Sequence, residues 1–254
     1  MSFFPLKKPH EVKKMRKAGS ILHNIFEEVQ PLVRPGIKTI EIERRVHSLI
    51  KKQNAEPAFL NYGQGKRRFP ACSCISINEE LVHGIPSERI ISEGDIVKID
   101  IGIKKFGYYA DMARTIAVPP VTSREEEMIH ASKSALMQLL KILPSLDTIA
   151  DIGLFIQQHV EKRGFSVIRD YTGHGIGKAL HESPPVPNYY VPELNRVKLQ
   201  PGTVIAVEPM ISLGKHETRE LEDQWTVVMA DHSKCSHWEH TIAITENGCE
   251  ILTA

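Results

Sequence analysis

Apolar residues recur every three or four positions in several segments of the chain, which is the spacing of an amphipathic helix. The first such segment spans residues 9–31 and opens with Pro9, a residue favoured in the first turn of a helix. Its apolar positions are Val12, Met15, Leu22, Ile25, Phe26 and Val29. Pro35 and Gly36 then precede Thr39, the N-cap candidate of a second helix. The apolar positions of this second helix are Ile42, Val46 and Ile50.

A similar pair of helical patterns occurs in the second half of the chain. Ser123 and Glu126 form a capping-box pattern, which predicts the start of a third helix. The apolar positions of the third helix are Ile129, Leu136, Leu139 and Leu140. Pro144 and Thr148 precede a fourth helix, whose apolar positions are Ile152, Phe155 and Val160.

Two stretches of sequence recur at nearly the same offset. The stretch that begins at Pro35 matches the one at Pro144, an offset of 109 residues. The stretch that begins at Gly94 matches the one at Gly202, an offset of 108 residues. This agreement predicts a duplicated unit of two helices followed by strands.

The duplication predicts approximate halves 1–120 and 121–254 within a single domain covering residues 1–254. No linker rich in proline, glycine or serine separates the halves. If the halves pack together, their strands form one central antiparallel sheet, and the helices lie on one side of it. We therefore expect an α+β fold.

Acidic residues end two of the predicted strands, where acids are rare. Asp100 and Glu208 follow apolar runs at matching places in the two halves. A strand edge facing water would explain either acid alone, but not the repetition. Asp111 lies in the strand that follows the turn residues 104–107. A hairpin centred in this turn would place Asp111 directly opposite Asp100, where two like charges repel.

A fourth acid belongs to the same set. Thr115 and Thr241 open identical triplets, and Asp111 and Glu239 precede them by four and two residues. Both separations are even, so each acid shares a strand face with its threonine. Two divalent cations would balance four converging carboxylates, whereas one shared proton would leave two of the acids unexplained. Carboxylate-rich sites suit Mn, Fe or Co.

Glycines surround His174 in the stretch 173–177. A dinucleotide-binding pattern fails at Lys178, and a phosphate-loop pattern fails at Ala179. Flanking glycines instead let the backbone bend and expose the imidazole of His174, as a metal ligand requires.

The remaining histidines are less specific. Pro185 prevents His181 from opening a zinc-peptidase helix, and a lone histidine such as His181 or His83 is more often structural. A cluster near the end of the chain lacks the regular spacing of a zinc site, and its member His240 points away from Glu239. We expect most of this cluster to lie in a solvated loop. Its members are His232, Cys235, His237 and His240.

Composition narrows the class of protein. The net charge of +1 provides no general attraction for nucleic acid or an anionic membrane. No apolar run approaches the ~20 residues of a membrane-spanning helix, and no signal-like stretch precedes the first lysines. The few cysteines form no Cys-x-x-Cys pair and are expected to be reduced thiols of a cytoplasmic protein. They are Cys72, Cys74, Cys235 and Cys249.

Taken together, the motifs resemble one known family, the type I methionine aminopeptidases of bacteria. The resemblance covers nearly the whole chain and rests on several short motifs in one order. They are His83–Pro86, the pair Asp100 and Asp111, Gly173–Gly177, His181–Glu182, Glu208–Met210 and Glu239–Thr241. The resemblance implies the pita-bread fold, an α+β arrangement with a pseudo-twofold axis.

The resemblance also implies a site for two divalent metal ions, of Co, Mn, Fe or Zn. The five metal ligands of the family fall on Asp100, Asp111, His174, Glu208 and Glu239. Its two substrate-contacting histidines fall on His83 and His181. The pocket for the methionine side chain falls on Tyr62, Phe69, Cys74 and Trp225. The chain departs from the family pattern at Leu180, where an aromatic residue is common, and in a longer loop at residues 63–68.

The implied activity is removal of the N-terminal methionine from nascent proteins and peptides whose second residue is small and uncharged. Glu208 would pass a proton from the attacking water to the leaving amine, and His83 and His181 would donate hydrogen bonds to the peptide and the oxyanion. We expect a cytoplasmic monomer, with no nucleic-acid or membrane partner and with ribosome association left open. The loop residues Lys66, Arg67 and Arg68 are expected to form a solvated basic loop rather than to contact the ribosome or the peptide.

Two alternatives remain at this point. A proline-specific aminopeptidase or dipeptidase has the same fold, but usually carries further N-terminal domains. A non-catalytic pita-bread module that binds peptides or proteins usually lacks some of the metal ligands.

Overall fold

The computed structural model describes residues 5–65 and 67–254, and within them it has α-helices at the four predicted places. The helices are α1 (Pro9–Val29), α2 (Thr39–Lys52), α3 (Ser123–Ile142) and α4 (Ile149–Glu161). Short 3₁₀ turns span Gln30–Leu32, Leu143–Ser145 and Pro192–Arg196. Each helix buries most of its apolar stripe, which confirms the predicted helical periodicity.

Two predicted helix caps are wrong by one residue. Thr39 is the first residue of α2 rather than its N-cap, and its hydroxyl donates to the backbone oxygen of Ser87 at 3.0 Å. The cap of α3 is Thr122, whose Oγ1 accepts from the backbone nitrogen of Glu125 at 3.3 Å. Glu125 accepts in return from the backbone nitrogen of Thr122 at 2.6 Å.

The choice of cap in α3 depends on a distant residue. Thr122 with Glu125 and Ser123 with Glu126 both fit the local capping pattern, so the sequence alone is ambiguous. Lys234 lies 2.6 Å from the carboxylate of Glu125, a contact that favours the first pair.

The strands lie between and after the helix pairs. They are β1 (Glu56–Pro57), β2 (Gly63–Gln64), β3 (Arg67–Arg68), β4 (Ser73–Ile77), β5 (Glu80–Val82), β6 (Ile96–Lys105), β7 (Tyr108–Ala117), β8 (Ser166–Val167), β9 (Gly173–Gly175), β10 (Glu182–Val186), β11 (Val204–Val207), β12 (Met210–Ser212), β13 (Thr218–Glu220), β14 (Val227–Met229), β15 (Cys235–His237), β16 (His240–Thr245) and β17 (Gly248–Ile251). In the first half, β6 pairs with β1, β4 and β7. In the second half, the order is β10-β9-β11-β16-β17. All of these pairs are antiparallel.

The predicted register of the β6–β7 hairpin is wrong. Asp111 pairs with Gly102, and Asp100 pairs with Ala113, so the two acids are diagonal neighbours instead of facing each other. The turn is the two-residue pair Phe106 and Gly107, whose φ angles of 56° and 81° are typical of a type I′ hairpin turn. Since the slip is an even number of residues, both acids still lie on the same face.

Hydrogen bonds from two threonine side chains join the halves in matching ways. Thr115 Oγ1 donates to the backbone oxygen of His237 at 2.7 Å and accepts from its nitrogen at 2.9 Å. Thr241 Oγ1 donates to the backbone oxygen of Asp111 at 2.9 Å and accepts from its nitrogen at 3.0 Å. The seam that β7 forms with β15 and β16 therefore shows the pseudo-twofold relation suggested by the two triplets.

Each half has its own hydrophobic core between its helices and its strands. One core includes Leu22, Phe26, Val46 and Ile99, and the other includes Leu136, Ile152, Ile205 and Ile242. Because side chains alternate along a strand, Ile99 and Ile101 face the helices of the first half, whereas Asp100 faces away from them. The helices thus cover one face of the strands, and the acids lie on the other. The division into halves 1–120 and 121–254 of a single domain stays a prediction.

Within the described part of the chain, no helix is long and apolar enough to span a membrane. The four cysteines all have free thiols, as predicted.

Candidate metal centre

The five predicted ligands come from strands on both sides of the seam. Asp100 lies in β6, Asp111 in β7 and His174 in β9. Glu208 directly follows β11, and Glu239 directly precedes β16. Single ligand atoms of Asp111, His174 and Glu239 lie within 4.8 Å of one another. The fold therefore gathers residues that are far apart in the sequence into one cluster.

Histidine side chains lie beside the acids. His174 Nε2 is 3.9 Å from Asp111 Oδ2 and 3.7 Å from Glu208 Oε1. On the other side, His237 Nε2 is 3.3 Å from Glu208 Oε2 and 3.9 Å from Glu239 Oε2. Glu208 is thus between two imidazoles, one from each side of the cluster.

Burial raises the pKa of every carboxyl group in the cluster, and repulsion between the acids adds to the effect for three of them. The pKa of Asp100 lies well above its ordinary value because of burial and then of the charges on Asp111 and Glu208. Burial is also the largest cause for Glu208 and Glu239, whose pKa values are likewise raised well above normal. Burial raises the pKa of Asp111 to about 7. These four acids favour their neutral forms unless positive charge is supplied.

The neighbouring imidazoles are neutral at pH 7. Burial lowers the pKa of His174 to about 3, and it lowers the pKa of His237 to about 3 as well. A neutral imidazole has a free nitrogen lone pair and can bind a cation.

The donor atoms fit a divalent metal ion. Asp100 Oδ1, Glu239 Oε1 and His237 Nε2 are buried without a hydrogen-bond partner. Buried polar atoms are rarely left unpaired, so each of these calls for a partner. Carboxylate oxygens and imidazole nitrogens suit Mn, Fe, Co and Zn. The residues present therefore fit the metal site that the motifs suggest.

The cluster borders a cavity of about 190 Å³, and every residue predicted to belong to the site lines it. These residues are Tyr62, Phe69, Cys74, His83, Asp100, Asp111, His174, His181, Glu208, Trp225 and Glu239. The cavity is also lined by Phe59, Val82, Tyr171, Thr172, Leu180, Met210 and His237. It thus has an apolar part and an acidic part.

Aromatic contacts build the apolar part. The rings of Phe69 and Trp225 meet edge to face, with centroids 5.3 Å apart, and His83 lies 6.3 Å from Trp225. At the acidic part, the ring centroid of His181 is 4.3 Å from that of His174. Tyr62 lies at the exposed rim, and its hydroxyl is 2.5 Å from His181 Nδ1. Of the two histidines predicted to contact substrate, His83 thus lies beside the apolar part and His181 beside the acidic part.

Comparisons with known proteins agree with this geometry. The profile of metallopeptidase family M24 matches residues 13–246. Methionine aminopeptidase 1 of Bacillus subtilis is 42% identical over 247 residues, which cover 97% of this chain and 98% of that protein. The chain belongs to the type I methionine aminopeptidases of family M24. It is therefore a metallopeptidase, and its family binds divalent metal.

Solved structures support the same assignment. A methionine aminopeptidase from Thermotoga maritima is 41% identical, with a TM-score of 0.93 and coverage of 98% of this chain and 99% of that one. A prolidase from Pyrococcus furiosus has a TM-score of 0.74 at 23% identity, and this chain covers 65% of its length. The similarity to the prolidase shows only that the two proteins share a fold. The predicted α+β pita-bread fold is confirmed, and the comparisons do not favour the proline-specific alternative.

The sequence-based prediction was wrong for one residue of this aminopeptidase site. His237 was expected in a solvated loop, but it lies in β15 with 1% exposure and faces Glu208. Cys235 and His240 are also buried, and of this cluster His232 is the exposed member. The alternation of His237 with Glu239 was the available signal, since residues two apart in a strand share a face. His240 does point away from Glu239, because its Nδ1 lies 2.9 Å from the hydroxyl of Thr253.

Within the loop at residues 63–68, Gly63–Gln64 and Arg67–Arg68 pair to form the small hairpin β2–β3. Arg67 in this hairpin forms an ion pair with Glu220, and its guanidinium lies 5.4 Å from the ring centroid of Trp225. The Arg67 side chain is nevertheless 52% exposed, which agrees with the expected solvated loop. Arg68 is exposed, as expected, and Lys66 lies outside the described residues.

Proposed function

We propose that this metallopeptidase removes the N-terminal methionine from nascent proteins and peptides whose second residue is small and uncharged. The observation that carries the proposal is one cavity with an apolar part, built around Phe69 and Trp225, directly beside the cluster of buried acids. A methionine side chain suits the apolar part, because it is flexible and makes favourable contacts with aromatic rings. Cys74 and Tyr62 complete this pocket.

The acidic part explains why cleavage would occur at the chain terminus. A free α-amino group has a pKa of about 8, so its neutral form with a free lone pair is accessible near neutral pH, and internal peptide bonds have no such group. That lone pair would be a ligand for a divalent ion held by the acids. Tyr62 and His181 stand at the mouth of the cavity, where a bulky second residue of a substrate would meet them.

We assign two divalent ions, of Co, Mn, Fe or Zn, to Asp100, Asp111, His174, Glu208 and Glu239. Two ions balance the charge of four carboxylates. When bound, divalent metal supplies Lewis-acid activation of the peptide carbonyl and of water. The unpaired oxygens of Asp100 and Glu239 support this assignment.

The remaining chemistry falls to the side chains around the cluster. We assign to the Glu208 carboxylate the transfer of a proton from the attacking water to the leaving amine. Burial lowers the pKa of His181, so its ring is neutral at pH 7. If the Tyr62 hydroxyl donates to His181 Nδ1, the proton on Nε2 remains free to be donated to the developing oxyanion. Burial likewise lowers the pKa of His83 to about 4, which makes His83 a neutral donor toward the peptide.

The proposal places the enzyme in the cytoplasm as a monomer that acts on the N-termini of nascent chains. Four free thiols are consistent with a reducing compartment. Gel filtration tests the monomeric state. Cosedimentation with ribosomes tests whether the enzyme associates with them.

The activity is tested by release of the N-terminal amino acid from Met-Ala-Ser, with Met-Lys-Ser and a peptide that begins with Ala-Pro as controls. We expect release from the first peptide alone, dependence on added divalent metal, and two metal ions per chain by elemental analysis. Release from the Ala-Pro peptide instead would assign a proline-specific activity. No release from any peptide at full metal occupancy would favour a binding module.

The role of His181 is tested separately by His181→Ala. Loss of one positioned oxyanion donor lowers turnover by about 10²–10³-fold in comparable sites. We expect a loss of this order with unchanged metal stoichiometry. If calorimetry showed loss of a metal ion instead, His181 would have to be a metal ligand.

A further inference from the structure

A lysine near the start of the described chain is buried next to the active-site loop. Lys7 Nζ donates to Glu182 Oε2 at 2.5 Å and to the backbone oxygen of Pro5 at 2.6 Å. The side chains of Lys7 and Glu182 are only 5% and 12% exposed. Charged side chains are seldom buried without such a partner, so this pair has a specific place in the fold.

Two glycines make room for Lys7. A Cβ atom at Gly177 would lie 2.2 Å from Lys7 Cε, and one at Gly202 would lie 2.7 Å from the backbone oxygen of Lys7. The backbone nitrogen of Lys7 also donates to the oxygen of Gly202 at 2.7 Å. The last glycine of the stretch 173–177 therefore has a packing reason that is separate from metal binding.

Glu182 connects this lysine to the loop that carries His181. Its Oε1 accepts from the backbone nitrogens of Lys178 and Ala179 at 2.8 and 3.2 Å. Glu182 also opens β10, where it pairs with Gly175 just before a register shift. One carboxylate thus holds both ends of the loop between Gly177 and Glu182, and Lys7 holds that carboxylate.

The other nearby lysine has a different partner. Lys178 Nζ lies 3.5 Å from Glu11 Oε1, and its side chain is 72% exposed. Lys8, next to Lys7 in the chain, is exposed and is bonded through its backbone nitrogen to Glu11. Neither lysine takes the place of Lys7 beside Glu182.

We propose that Lys7 is a positioning residue for His181. Its ion pair with Glu182 fixes the loop 177–182, so that His181 stays at the edge of the metal cluster, where its ring contacts His174. Lys7 does not line the catalytic cavity, and it acts through Glu182. The inference rests on the proposed role of His181 in catalysis.

The test compares Lys7→Met with Lys8→Met as the matched control. Misplacement of a reacting group by about 1 Å costs about 10²-fold in rate, so we expect Lys7→Met to lower kcat by about 10- to 100-fold. KM and metal stoichiometry are expected to stay as in the wild type, since the pocket and the ligands are unchanged. Lys8→Met is expected to keep full activity. Unchanged kcat in Lys7→Met would overturn the inference.

A double-mutant cycle separates positioning from general support of the fold. In the His181→Ala background, Lys7→Met is expected to lower kcat no further, because the side chain through which it acts is gone. If the two losses multiply instead, Lys7 acts on the fold and the inference is wrong. If His181→Ala alone keeps full activity, the proposed role of His181 fails, which is a different result.

A second variant covers the case that Lys7→Met does not fold. Glu182→Gln removes the charge but keeps an oxygen that can accept from Lys178 and Ala179. We expect a smaller loss of kcat in the same direction, again absent in the His181→Ala background. Wild-type kcat in folded Glu182→Gln would contradict the proposal.

Discussion

Asp111 is the acid whose two roles can be separated by a single substitution. It contributes a carboxylate to the proposed metal site, and without metal it is a buried acid surrounded by other acids. Asp111→Asn keeps the size of the side chain and removes its charge. We expect the variant to lose hydrolysis and yet to be more stable than the wild type when both are free of metal at pH 7.

The raised pKa of Asp111 determines how the stability difference between the variant and the wild type changes with pH. Burial raises the folded-state pKa of Asp111 from 3.8 to about 7. Between these values the folded protein keeps a proton that the unfolded chain has released, so stability falls as pH rises through this window. Asn cannot ionise, so the stability advantage of Asp111→Asn should grow from pH 4 to pH 7. Since each pKa unit corresponds to ~1.4 kcal/mol, it should reach a few kcal/mol.

Urea unfolding in the presence of a chelator, at several pH values, measures this difference. The exposed Glu246→Gln is the control and should show no such growth. A stability difference between Asp111→Asn and the wild type that does not change with pH would contradict the buried-acid account. Near-normal turnover of the variant at full metal occupancy would contradict the ligand assignment.

At the scale of single elements, the start of α3 offers a matched pair of substitutions. Thr122 accepts a hydrogen bond from the first turn, whereas the neighbouring Ser123 is an exposed helical residue. Loss of a threonine cap typically costs ~1 kcal/mol, which lowers the melting temperature of a chain of this size by about 2–4 °C. We expect this shift for Thr122→Ala and almost none for Ser123→Ala. Equal shifts of the melting temperature in calorimetry would contradict the assignment of the N-cap to Thr122 rather than to Ser123.

The hairpin β6–β7 shows why element boundaries are harder to predict than elements. Both strands were predicted, and so was the turn between them. A four-residue turn region allows several registers, and the one adopted depends on which two residues take positive φ angles. Glycine adopts a positive φ angle without strain, so Gly107 was predictable as a turn residue. Nothing in the sequence marked Phe106 as the second residue with a positive φ angle. The acids remained on one face because registers two residues apart preserve strand alternation.

At the scale of the whole molecule, the halves should unfold together. The side chains of Thr115 and Thr241 form hydrogen bonds with the backbone of the opposite half. The backbone nitrogen of Glu239 also donates to the backbone oxygen of Ala113 at 2.9 Å. The acids and imidazoles between them are buried only while both halves are in place. We expect one calorimetric transition for the metal-free protein, with equal calorimetric and van't Hoff enthalpies. Two separate transitions would show that the halves are independent domains.

The chain itself should be a substrate of the proposed activity. Met1 is followed by Ser2, a small and uncharged residue, although both lie outside the described residues. A chain expressed in cells from Met1 should therefore be recovered with Ser2 as its first residue. Ser2→Lys and Ser2→Glu should keep Met1, because a long second side chain would overlap with Tyr62 and His181 at the mouth of the cavity. Intact-mass measurement of the three forms checks this. Retained Met1 on wild-type protein, made without overexpression, would count against the size rule.

Much of this protein was determined by local sequence. The helix pairs follow from apolar periodicity, and Asp100 and Glu208 stood out because acids interrupt apolar strands at matching places. These signals are readable because neighbouring residues alone produce them. Only the tertiary structure decided that His237 faces Glu208 and that Lys7 reaches Glu182. In each case the partners are tens of residues or more apart, and their contact depends on how strands pair and which turns form. A short stretch of sequence can indicate which face of a strand a residue is on, but it does not identify the distant partner.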